Sequence, residues 1–493
     1  MAKPLRILLV ASEIAPFAKT GGLADVAGAL PQALARLGHD VRLAMPLYGT
    51  VDRYKHRLLP VLRRLDVALG NEKLTGEVMR TAYPGAERVP VYFIQQDSLY
   101  LRSGLYGEAS RDYPDNDRRF AFFNMACLAM LRELDWRPDI IHANDWQTGL
   151  IPALLRFHPQ VVNDPFYQQA RTVFTIHNLA YQGIFPPAFL DLARLPWAAF
   201  NPDGLEFHKH VSLLKAGLNF SDRLTTVSPS YAREIQTEEF GVGMEGVLQQ
   251  RAGVLTGILN GIDGEVWNPA TDPLLPARYT ADDLSGKAVC RRELEATFAL
   301  KPSDRPILGV VSRLVEQKGF DLVEKIAEAL LAEGARLVVL GTGAPRFEKF
   351  FAQLAAHHPG AAGARLEYSE AVAHLIEAGS DFFLMPSRFE PSGLNQLYSM
   401  AYGTPPIVRR VGGLADSVVD AAPDNLAAGT ATGFAFDDYT PAALLSCVER
   451  ALSLRAQGGP AWASVLRAGM TRDFGWDNAA REYVKVYRDA LGG

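Results

Sequence analysis

Two halves of the chain repeat one pattern, in which short apolar runs alternate with segments of helical period. In the first half the predicted strands are residues 6–12, 41–45, 139–143, 171–176 and 222–227. In the second half they are residues 307–311, 337–340, 365–368, 382–385 and 406–408. Segments between them, such as residues 120–134, carry apolar side chains three and four positions apart. Repeated alternation of strand and helix predicts an α/β fold class with parallel, doubly wound sheets.

Two regions depart from this alternation. Residues 58–96 alternate in polarity and are broken by Gly70 and Pro84-Gly85, which predicts an antiparallel excursion. Between Asn260 and Arg305 the periodicity is lost and four prolines occur, which predicts a linker between domains. The expected domains are therefore residues 1–262 and 263–475, followed by one amphipathic helical segment, residues 476–493.

Composition limits the classes of partner. The 493 residues include 50 basic and 55 acidic ones, so net charge favours neither a nucleic-acid nor a membrane partner. Three widely spaced cysteines argue against a disulfide framework or a zinc cluster and favour a reducing compartment. The first apolar run is interrupted by Glu13, too soon for a signal peptide, and no apolar segment approaches about 18 residues. We expect a soluble, cytoplasmic protein.

Two strand-to-helix transitions carry cations suited to a phosphate group. Lys19 precedes Gly21-Gly22 at the first helix, where unshielded backbone amides favour an anion. Arg313 and Lys318 follow the first strand of the second half; arginine can fork two phosphate oxygens, and lysine supplies a point charge. The alternative is that each cation is merely solvated on an exposed helix face.

Residues 381–416 concentrate polar side chains after a predicted strand. The apolar run ends at Pro386, and Glu390, Ser392 and Asn395 follow it. A doubly wound sheet binds ligands at this place, outside the carboxyl ends of its strands. The stretch closes on the pentapeptide GGLAD, which also begins at Gly21. Each copy could instead be a helix start that binds nothing.

Two further motifs follow strands of the first half. They are residues 142–146, HANDW, and residues 177–183, HNLAYQG. Their histidine, asparagine and aspartate side chains can hydrogen-bond sugar hydroxyls, and Trp146 or Tyr181 offers an apolar face to a pyranose ring. The alternative for a lone histidine at a strand end is a structural role.

Several other chemistries lack their motifs. Asp115-Asn116-Asp117 satisfies a minimal diphosphate-metal pattern, but capping of the following helix is the favoured interpretation, so no metal is expected. Gly341-Thr342-Gly343 lacks the third glycine of a dinucleotide fingerprint, and there is no Walker sequence. No Gly-x-Ser-x-Gly elbow supports an acyl hydrolase.

Taken together, the motifs resemble the bacterial glycogen synthase and plant starch synthase family in type and order. The matching segments are Lys19 to Leu23, Asn144 to Trp146, Ile176 to Gly183, Lys215 to Gly217, Asn260 to Asp263, Ser312-Arg313, Lys318-Gly319, Pro386 to Glu390 and Gly412 to Leu414. The series spans essentially the whole chain and is far more specific than any one component.

The resemblance implies a GT-B type fold, two Rossmann-like domains facing each other across a cleft, with the C-terminal helix crossing back to the first domain. It implies a retaining glucosyltransferase that moves glucose from ADP-glucose to an α-1,4-glucan, elongating glycogen without a cofactor or metal. The second domain would bind the nucleotide sugar and the first would lie on the acceptor side. The preference for ADP over UDP rests on the resemblance alone.

The resemblance also implies roles for individual residues. Catalytic roles fall to Arg313 and Lys318 on the diphosphate, Glu390 near the donor glucose, and His177 at the sugar. Substrate-binding positions are Lys19, Gly21 and Gly22 reaching the diphosphate from the other domain, Asp145 and Asn260 at the sugar, Tyr368 on the base, and Ser392, Gly393 and Asn395.

Two positions depart from the family pattern. Ser392 stands where the family usually has cysteine, and Ala344 stands where it usually has aspartate after Gly341-Thr342-Gly343. Rival interpretations are a sucrose- or trehalose-type synthase of the same fold and a catalytically silent glucan-binding protein. The latter would be free to lose the phosphate cations, all of which are present.

Overall fold

The computed structural model describes residues 3–108 and 111–492. The chain forms two compact units, Met1–Asn260 with Trp476–Gly493, and Gly261–Gly475. The strands of the first unit are β1 (Arg6–Val10), β2 (Asp40–Pro46), β3 (Leu59–Leu69), β4 (Glu72–Tyr83), β5 (Ala86–Gln95), β6 (Gly107–Glu108), β7 (Arg111–Asp112), β8 (Ile140–Asn144), β9 (Arg171–Ile176), β10 (Ile184–Phe185), β11 (Glu206–Phe207), β12 (His210–Ser212), β13 (Arg223–Thr226) and β14 (Leu255–Gly257). Its helices before the second unit are α1 (Gly22–Arg36), α2 (Asp97–Tyr100), α3 (Asn116–Glu133), α4 (Leu150–Phe157), α5 (Phe189–Leu192), α6 (Leu213–Phe220), α7 (Pro229–Glu234) and α8 (Glu245–Gln250).

The second unit contains six strands and nine α-helices within the described residues. The strands are β15 (Ile307–Val311), β16 (Arg336–Leu340), β17 (Ala362–Arg365), β18 (Phe382–Met385), β19 (Pro406–Arg409) and β20 (Phe434–Phe436). The helices are α9 (Ser285–Thr297), α10 (Phe320–Ala332), α11 (Pro345–His357), α12 (Glu370–Gly379), α13 (Asn395–Ala401), α14 (Gly412–Ser417), α15 (Pro423–Ala427), α16 (Pro441–Gln457) and α17 (Gly459–Thr471). The chain then returns to the first unit with α18 (Trp476–Ala490).

The main sheet of the first unit has the strand order β14-β13-β9-β8-β1-β2-β5-β4-β3. Strand β1 pairs in parallel with both β2 and β8, so the strand order reverses beside β1. The antiparallel excursion predicted for residues 58–96 is confirmed as β3, β4 and β5. Gly70 and Gly85 have φ angles of 59° and 76° at its two turns, a conformation that favours glycine.

Helix α18 completes the first unit. Its Tyr483 and Tyr487 side chains are fully buried in the core of that unit. Tyr487 shares a 2.9 Å hydrogen bond between its hydroxyl and Nδ1 of His142 on β8. At the first turn of the helix, Asp477 pairs with Arg36 of α1 at 2.8 Å. The last helical segment of the chain therefore supplies core residues to the first unit.

The sheet of the second unit is parallel throughout, with the order β17-β16-β15-β18-β19-β20. In chain order, β15, β16 and β17 lie progressively closer to one edge of the sheet, and β18, β19 and β20 lie progressively closer to the other edge. The crevice outside the carboxyl ends of β15 and β18 is therefore the topological switch point, where such sheets bind ligands.

The prediction of a strand at residues 365–368 is wrong, because the strand lies three positions earlier in the chain. The observed strand β17 is Ala362–Arg365, and Tyr368 lies in the loop after it. Small residues fit here because a Cβ added to Gly363 would approach the Cβ and Cδ1 atoms of Phe298 to 2.9 Å. The apolar pattern did not reveal this packing, because Ala-Gly-Ala carries little hydrophobic signal.

The segment predicted to lack periodicity, residues 260–305, contains the 13-residue helix α9. This helix buries Cys290 and Leu294 against the core of the second unit. All three cysteines have buried, free thiols. No helix in the described parts of the chain is long and apolar enough to cross a membrane.

Candidate active site

Arg313 lies at the switch point of the second unit. It follows β15 in a loop that packs on the next loop, because Leu314 N donates to Thr342 O at 2.8 Å and Leu314 bridges Gly343. The Arg313 side chain is exposed, and within residues 3–108 and 111–492 it forms no hydrogen bond or ion pair. A guanidinium held at this position on a fixed backbone suits an anionic ligand.

Lys318 ends the same loop and is paired with Glu390. Its ammonium lies 2.6 Å from Oε2 of Glu390, which also accepts a 3.0 Å hydrogen bond from the Ser387 hydroxyl. Glu390 is 5% exposed, so this ion pair is largely desolvated. Gly319, at φ 76°, allows the contact, because a Cβ there would overlap the carbonyl of Pro386. The structure thus joins a predicted phosphate cation to the predicted catalytic carboxylate.

The second GGLAD segment packs against the Glu390 loop. A Cβ on Gly412 would overlap the Glu390 carbonyl, and one on Gly413 would overlap the Ser392 carbonyl. The Gly413 amide donates to the carbonyls of Glu390 and Pro391 at 3.1 and 3.2 Å. These glycines therefore allow the start of α14 to pack closely against the Glu390 loop. The Gly413 amide is already hydrogen-bonded within the chain.

The remaining predicted residues of the second unit lie in two places. Asn395 begins α13 and donates from Nδ2 to the Val311 carbonyl at 2.6 Å, which ties the end of β15 to that helix. Gly393, at φ 64°, sits where a Cβ would overlap Oε1 of Gln396. Tyr368 is 80% exposed on the loop after β17, with its hydroxyl donating to Glu370 at 3.2 Å.

In the first unit, Lys19 and the first glycine pair lie between β1 and α1. The Lys19 ammonium lies 2.7 Å from Oδ1 of Asp25 in the first turn of α1. Gly21 has an extended backbone, φ −161°, and a Cβ there would meet no atom within 4 Å. Neither conformation nor packing within the chain requires glycine at this position, and the space beside it is open to a ligand.

Glu13 organises this loop and was not among the predicted site residues. Its carboxylate accepts hydrogen bonds from the amide and the hydroxyl of Thr20, and from the Tyr106 hydroxyl at 3.1 Å. Burial raises the pKa of Glu13, partly offset by these hydrogen bonds. A charged residue directly after an apolar strand was the available signal, but its partner Tyr106 is 93 positions away.

Asp145 follows β8, next to the strand-order reversal of the first unit. Its backbone has φ 60° and ψ 178°, a conformation that is otherwise almost confined to glycine. Burial raises the pKa of Asp145 to about 8, with the Trp146 amide hydrogen bond opposing that effect. The carboxyl is therefore largely neutral at pH 7 and can donate as well as accept a hydrogen bond.

His177 and Asn144 form one hydrogen-bonded pair. Asn144 Nδ2 donates to the carbonyls of Val10 and His142, so its Oδ1 accepts from Nε2 of His177 at 2.9 Å. The Nδ1 atom of His177 is then the acceptor nitrogen. Burial lowers the pKa of His177 to about 3, so the ring is neutral at pH 7.

His142, in contrast, has the structural role left open by the sequence. It lies inside β8, is fully buried, and shares hydrogen bonds with the hydroxyls of Tyr487 and, at 2.6 Å, Thr175. Asn260 is also buried, but its Oδ1 has no hydrogen-bond partner among the described atoms. This buried amide oxygen therefore keeps its capacity to accept a hydrogen bond.

The expectation that Asp115 caps α3 is only half right. Asp115 occupies the N-cap position but makes no side-chain cap; instead its carboxylate binds Arg102 through two hydrogen bonds of 2.6 and 2.7 Å. This ion pair lowers the pKa of Asp115. Over residues 3–108 and 111–492, no group of three or more His, Cys, Asp or Glu side chains is arranged to hold a metal ion.

Comparison with known proteins identifies the family. The profile of the starch synthase catalytic domain matches residues 6–250, and that of the group 1 glycosyl transferases matches residues 292–458. A glycogen synthase from Syntrophotalea carbinolica is 49% identical over 99% of both chains. One from Anaeromyxobacter sp. (strain Fw109-5) is 51% identical over 98% of this chain and 99% of its own. The chain belongs to the glycogen synthase and starch synthase family.

Solved structures agree with this family. The catalytic domain of starch synthase IV from Arabidopsis thaliana, bound to ADP and acarbose, is 34% identical with a TM-score of 0.91 over 100% of both chains. A sucrose-phosphate synthase from Thermosynechococcus elongatus, 19% identical with a TM-score of 0.61 over 99% of both chains, shares the fold alone. The chain is thus a retaining glucosyltransferase with the two-domain GT-B architecture, as the resemblance implied.

The two departures from the family pattern lie on either side of the Arg313 loop. Ser392 is buried, and its hydroxyl donates to the Gly393 carbonyl at 3.3 Å. Ala344 occupies the N-cap position of α11 without a side-chain cap. Oε1 of Glu348 instead accepts from the Gly343 amide at 2.8 Å, which supplies a carboxylate to this loop from within the helix.

Proposed function

We propose that the protein transfers glucose from ADP-glucose to the non-reducing end of an α-1,4-glucan with retention, elongating glycogen in the cytoplasm. The observation that carries the proposal is the exposed Arg313 guanidinium, which has no partner among the described residues, at a switch point that also holds the Lys318–Glu390 ion pair. The ADP bound to the Arabidopsis enzyme supports the choice of nucleotide, and three free thiols support a reducing compartment.

The second unit is proposed to bind the donor, within the expected nucleotide-sugar domain at residues 263–475. Negative charge grows on the diphosphate as it leaves, so fixed cations there stabilise the transition state more than the ground state. Arg313 forks two phosphate oxygens, and Lys318 adds a point charge. Tyr368, a residue that is 80% exposed, stacks on the base. Ser392, Gly393 and Asn395 shape the loop beside them.

Glu390 is proposed to stabilise the positive charge that develops at the anomeric carbon. Its pairing with Lys318 means that donor binding places a diphosphate in competition for the same ammonium group. As Lys318 turns toward phosphate, the carboxylate loses its partner and becomes a stronger stabiliser of an oxocarbenium ion. Retention of configuration at the anomeric carbon follows either from a covalent glycosyl-enzyme intermediate or from attack of the acceptor on the face that the leaving group departs from.

The first unit is proposed to bind sugar, within the expected acceptor-side domain at residues 1–262. Neutral His177 and largely neutral Asp145 suit uncharged hydroxyl groups, because Nδ1 of His177 can accept a hydrogen bond and the Asp145 carboxyl can both donate and accept one. Oδ1 of Asn260, which has no partner among the described atoms, offers a further acceptor. Lys19, with Gly22 and the open space at Gly21, is proposed to bind phosphate.

Glucan extension tests this proposal directly. The protein is incubated with glycogen and labelled ADP-glucose or UDP-glucose, with and without chelator, with fructose and glucose as alternative acceptors. We expect glycogen extension from ADP-glucose that the chelator does not change. Absence of extension from both donors would refute the glucosyl transfer, transfer to the small sugars alone would favour a sucrose- or trehalose-type enzyme, and loss of activity with chelator would refute the metal-free mechanism.

A further inference from the structure

The sequence left two aromatic residues as candidates for a pyranose ring, and the structure separates them. The Trp146 ring lies against Gly183, where an added Cβ would approach ring atom Cδ2 to 2.8 Å and overlap Cε3. It also packs edge-on to Phe120, with ring centroids 5.0 Å apart. Tyr181, in contrast, is 49% exposed. Tyr181 is therefore the more exposed of the two, whereas Trp146 is only partly exposed.

The loop that carries Tyr181 is held rigidly by its backbone. The Tyr181 amide donates to the Asn178 carbonyl at 3.2 Å, and the Gln182 carbonyl accepts from the Ser212 hydroxyl at 3.0 Å. The Gly183 carbonyl accepts from the Leu213 amide at 3.0 Å. An exposed aromatic ring on a fixed loop is preorganised for stacking, because little conformational freedom is lost when a ligand binds.

A second loop continues the surface beside Tyr181. Gln182 donates from Nε2 to the Val242 carbonyl at 3.0 Å. Val242 is half exposed and has φ 50°, a left-handed conformation that is a genuine outlier for a β-branched residue. Strained backbone of this kind clusters at ligand-binding sites. The loop therefore holds an apolar side chain in solvent at an energetic disadvantage.

A tight turn completes the surface. A Cβ on Gly243 would lie 3.0 Å from the Phe207 ring and 3.8 Å from Nε2 of His208. His208 and Lys209, between β11 and β12, also have positive φ angles, 48° and 65°. The buried Lys215 ammonium fixes the turn by donating to the Glu206 carbonyl at 2.6 Å.

We define the Tyr181 face by the residues that these contacts join: Tyr181, Gln182, Phe207, His208, Val242 and Gly243. None of these six residues is an aspartate, glutamate, lysine or arginine, and the exposed Lys209 follows His208 in the same turn. The Tyr181 face combines apolar faces with amide and imidazole hydrogen-bonding groups, which suits an uncharged carbohydrate. The face is continuous along the chain with His177, four residues before Tyr181.

We propose that the Tyr181 face binds the glucan acceptor, with the Tyr181 ring stacked on a glucose unit of that chain. This inference rests on the proposed function, because it assigns the acceptor to a site built beside the sugar-binding residues. It adds an acceptor-binding site whose loss weakens the use of glucan and leaves the use of the nucleotide sugar unchanged.

Kinetics of Tyr181→Ala test the assignment, with Tyr54→Ala as the matched control because Tyr54 is 94% exposed in the same unit. We expect the KM for glycogen and for maltoheptaose to rise about five- to tenfold, as for loss of one stacked aromatic contact. The KM for ADP-glucose should stay within about twofold, and Tyr181→Trp should restore glucan use. An unchanged KM for glycogen in Tyr181→Ala would overturn the proposal.

A binding measurement without donor separates this inference from the proposed function. Migration through a native gel containing glycogen should be retarded for wild type and Tyr54→Ala and less retarded for Tyr181→Ala. Val242→Gly relieves the φ strain, so its thermal midpoint should not fall, yet its retardation should decrease. Equal retardation of all four proteins would overturn the acceptor site while glucosyl transfer by wild type stood; retardation without any transfer would refute the proposed function alone.

Discussion

At the residue scale, the two cations after β15, Arg313 and Lys318, differ in their surroundings, although both follow the same strand in the sequence. Lys318 is joined to a buried carboxylate, whereas Arg313 is exposed and has no ion-pair partner among the described side chains. Lys318 therefore contributes to folding as well as to ligand binding, and Arg313 is expected to contribute to ligand binding alone. Mutations of the two residues should separate these contributions.

Lys318→Ala leaves Glu390 buried without its cation, so we expect a loss of about 1–3 kcal/mol of unfolding free energy together with a loss of turnover. Arg313→Ala should change stability by less than about 0.5 kcal/mol and reduce kcat by about 100-fold or more. Urea denaturation and steady-state kinetics measure both effects. Arg292→Ala, another exposed arginine of this unit, is the control. Wild-type turnover in Arg313→Ala would contradict the phosphate assignment.

Asp145 should make stability depend on pH. Because its pKa is about 8 in the folded state against 3.8 ordinarily, the folded protein holds a proton between these values that the unfolded chain lacks. Its contribution is present at low pH and is lost as pH rises toward 8. Asp145→Asn mimics the neutral acid, so it should be more stable than wild type at pH 8, by about 1–3 kcal/mol, with a smaller difference at pH 5.

Urea denaturation at the two pH values checks this prediction, with exposed Asp203→Asn as the control. A stability difference between Asp145→Asn and wild type that does not grow from pH 5 to pH 8 would show that Asp145 is ionised in the folded protein.

The sequence predicted which residue types occur at the strand ends but not their partners. Arg313, Lys318 and Glu390 could be named because they follow apolar runs. The Lys318–Glu390 contact spans 72 positions and depends on how two loops meet, which no local periodicity encodes. Glu13 was missed for the same reason, since its hydrogen bond to Tyr106 forms only when the sheet is assembled.

At the element scale, the two GGLAD segments have the same sequence and different structural demands. Helix α14 starts against the carbonyls of the Glu390 loop, so its glycines are needed for packing. Helix α1 starts beside open space at Gly21. Identical pentapeptides thus begin two helices in different surroundings: Gly412 and Gly413 pack closely on carbonyl groups, whereas Gly21 lies beside open space.

Alanine substitutions should reveal this difference. Gly413→Ala forces a Cβ into the Ser392 carbonyl and should destabilise the protein by about 1–3 kcal/mol. Gly21→Ala meets no atom and keeps an ordinary φ, so its stability should stay within about 0.5 kcal/mol of wild type while activity falls. Thermal melts and glucan extension measure both. Full activity in Gly21→Ala would argue against ligand approach at that glycine.

Strand prediction succeeded where the strands are strongly apolar and failed where packing requires small residues. Strands β15 and β18 were predicted with the bounds that the structure has, because Ile-Leu-Gly-Val-Val and Phe-Phe-Leu-Met are buried on both faces. Strand β17 was misplaced because Gly363 must pass close to Phe298. Element prediction from sequence is therefore limited by tertiary packing more than by the length of the apolar run.

At the scale of the whole molecule, each unit has a hydrophobic core of its own. Two clusters of the second unit draw all their buried members from residues 262–465, including Leu308 on β15 and Leu397 on α13. A compact unit with its own core is able in principle to fold alone. Residues 261–475 form one continuous segment of chain, which makes that possibility testable.

We expect the isolated segment 261–475 to unfold cooperatively and to bind ADP, because Arg313, Lys318 and Tyr368, three of the residues proposed to bind the nucleotide, lie within it. Circular dichroism in urea and titration calorimetry with ADP check the two expectations, and the same segment with Arg313→Ala is the binding control. A cooperative fold without ADP affinity would place the essential nucleotide contacts elsewhere in the chain.

Helix α18 has a consequence for how the protein is made. The ribosome synthesises residues 476–490 after the entire second unit, yet Tyr483 and Tyr487 belong to the core of the first. During synthesis of the second unit, the core surface of the first unit that α18 later covers therefore remains exposed. The first unit therefore completes its core only after residues 476–490 have been synthesised, so its final packing step follows the synthesis of the whole second unit.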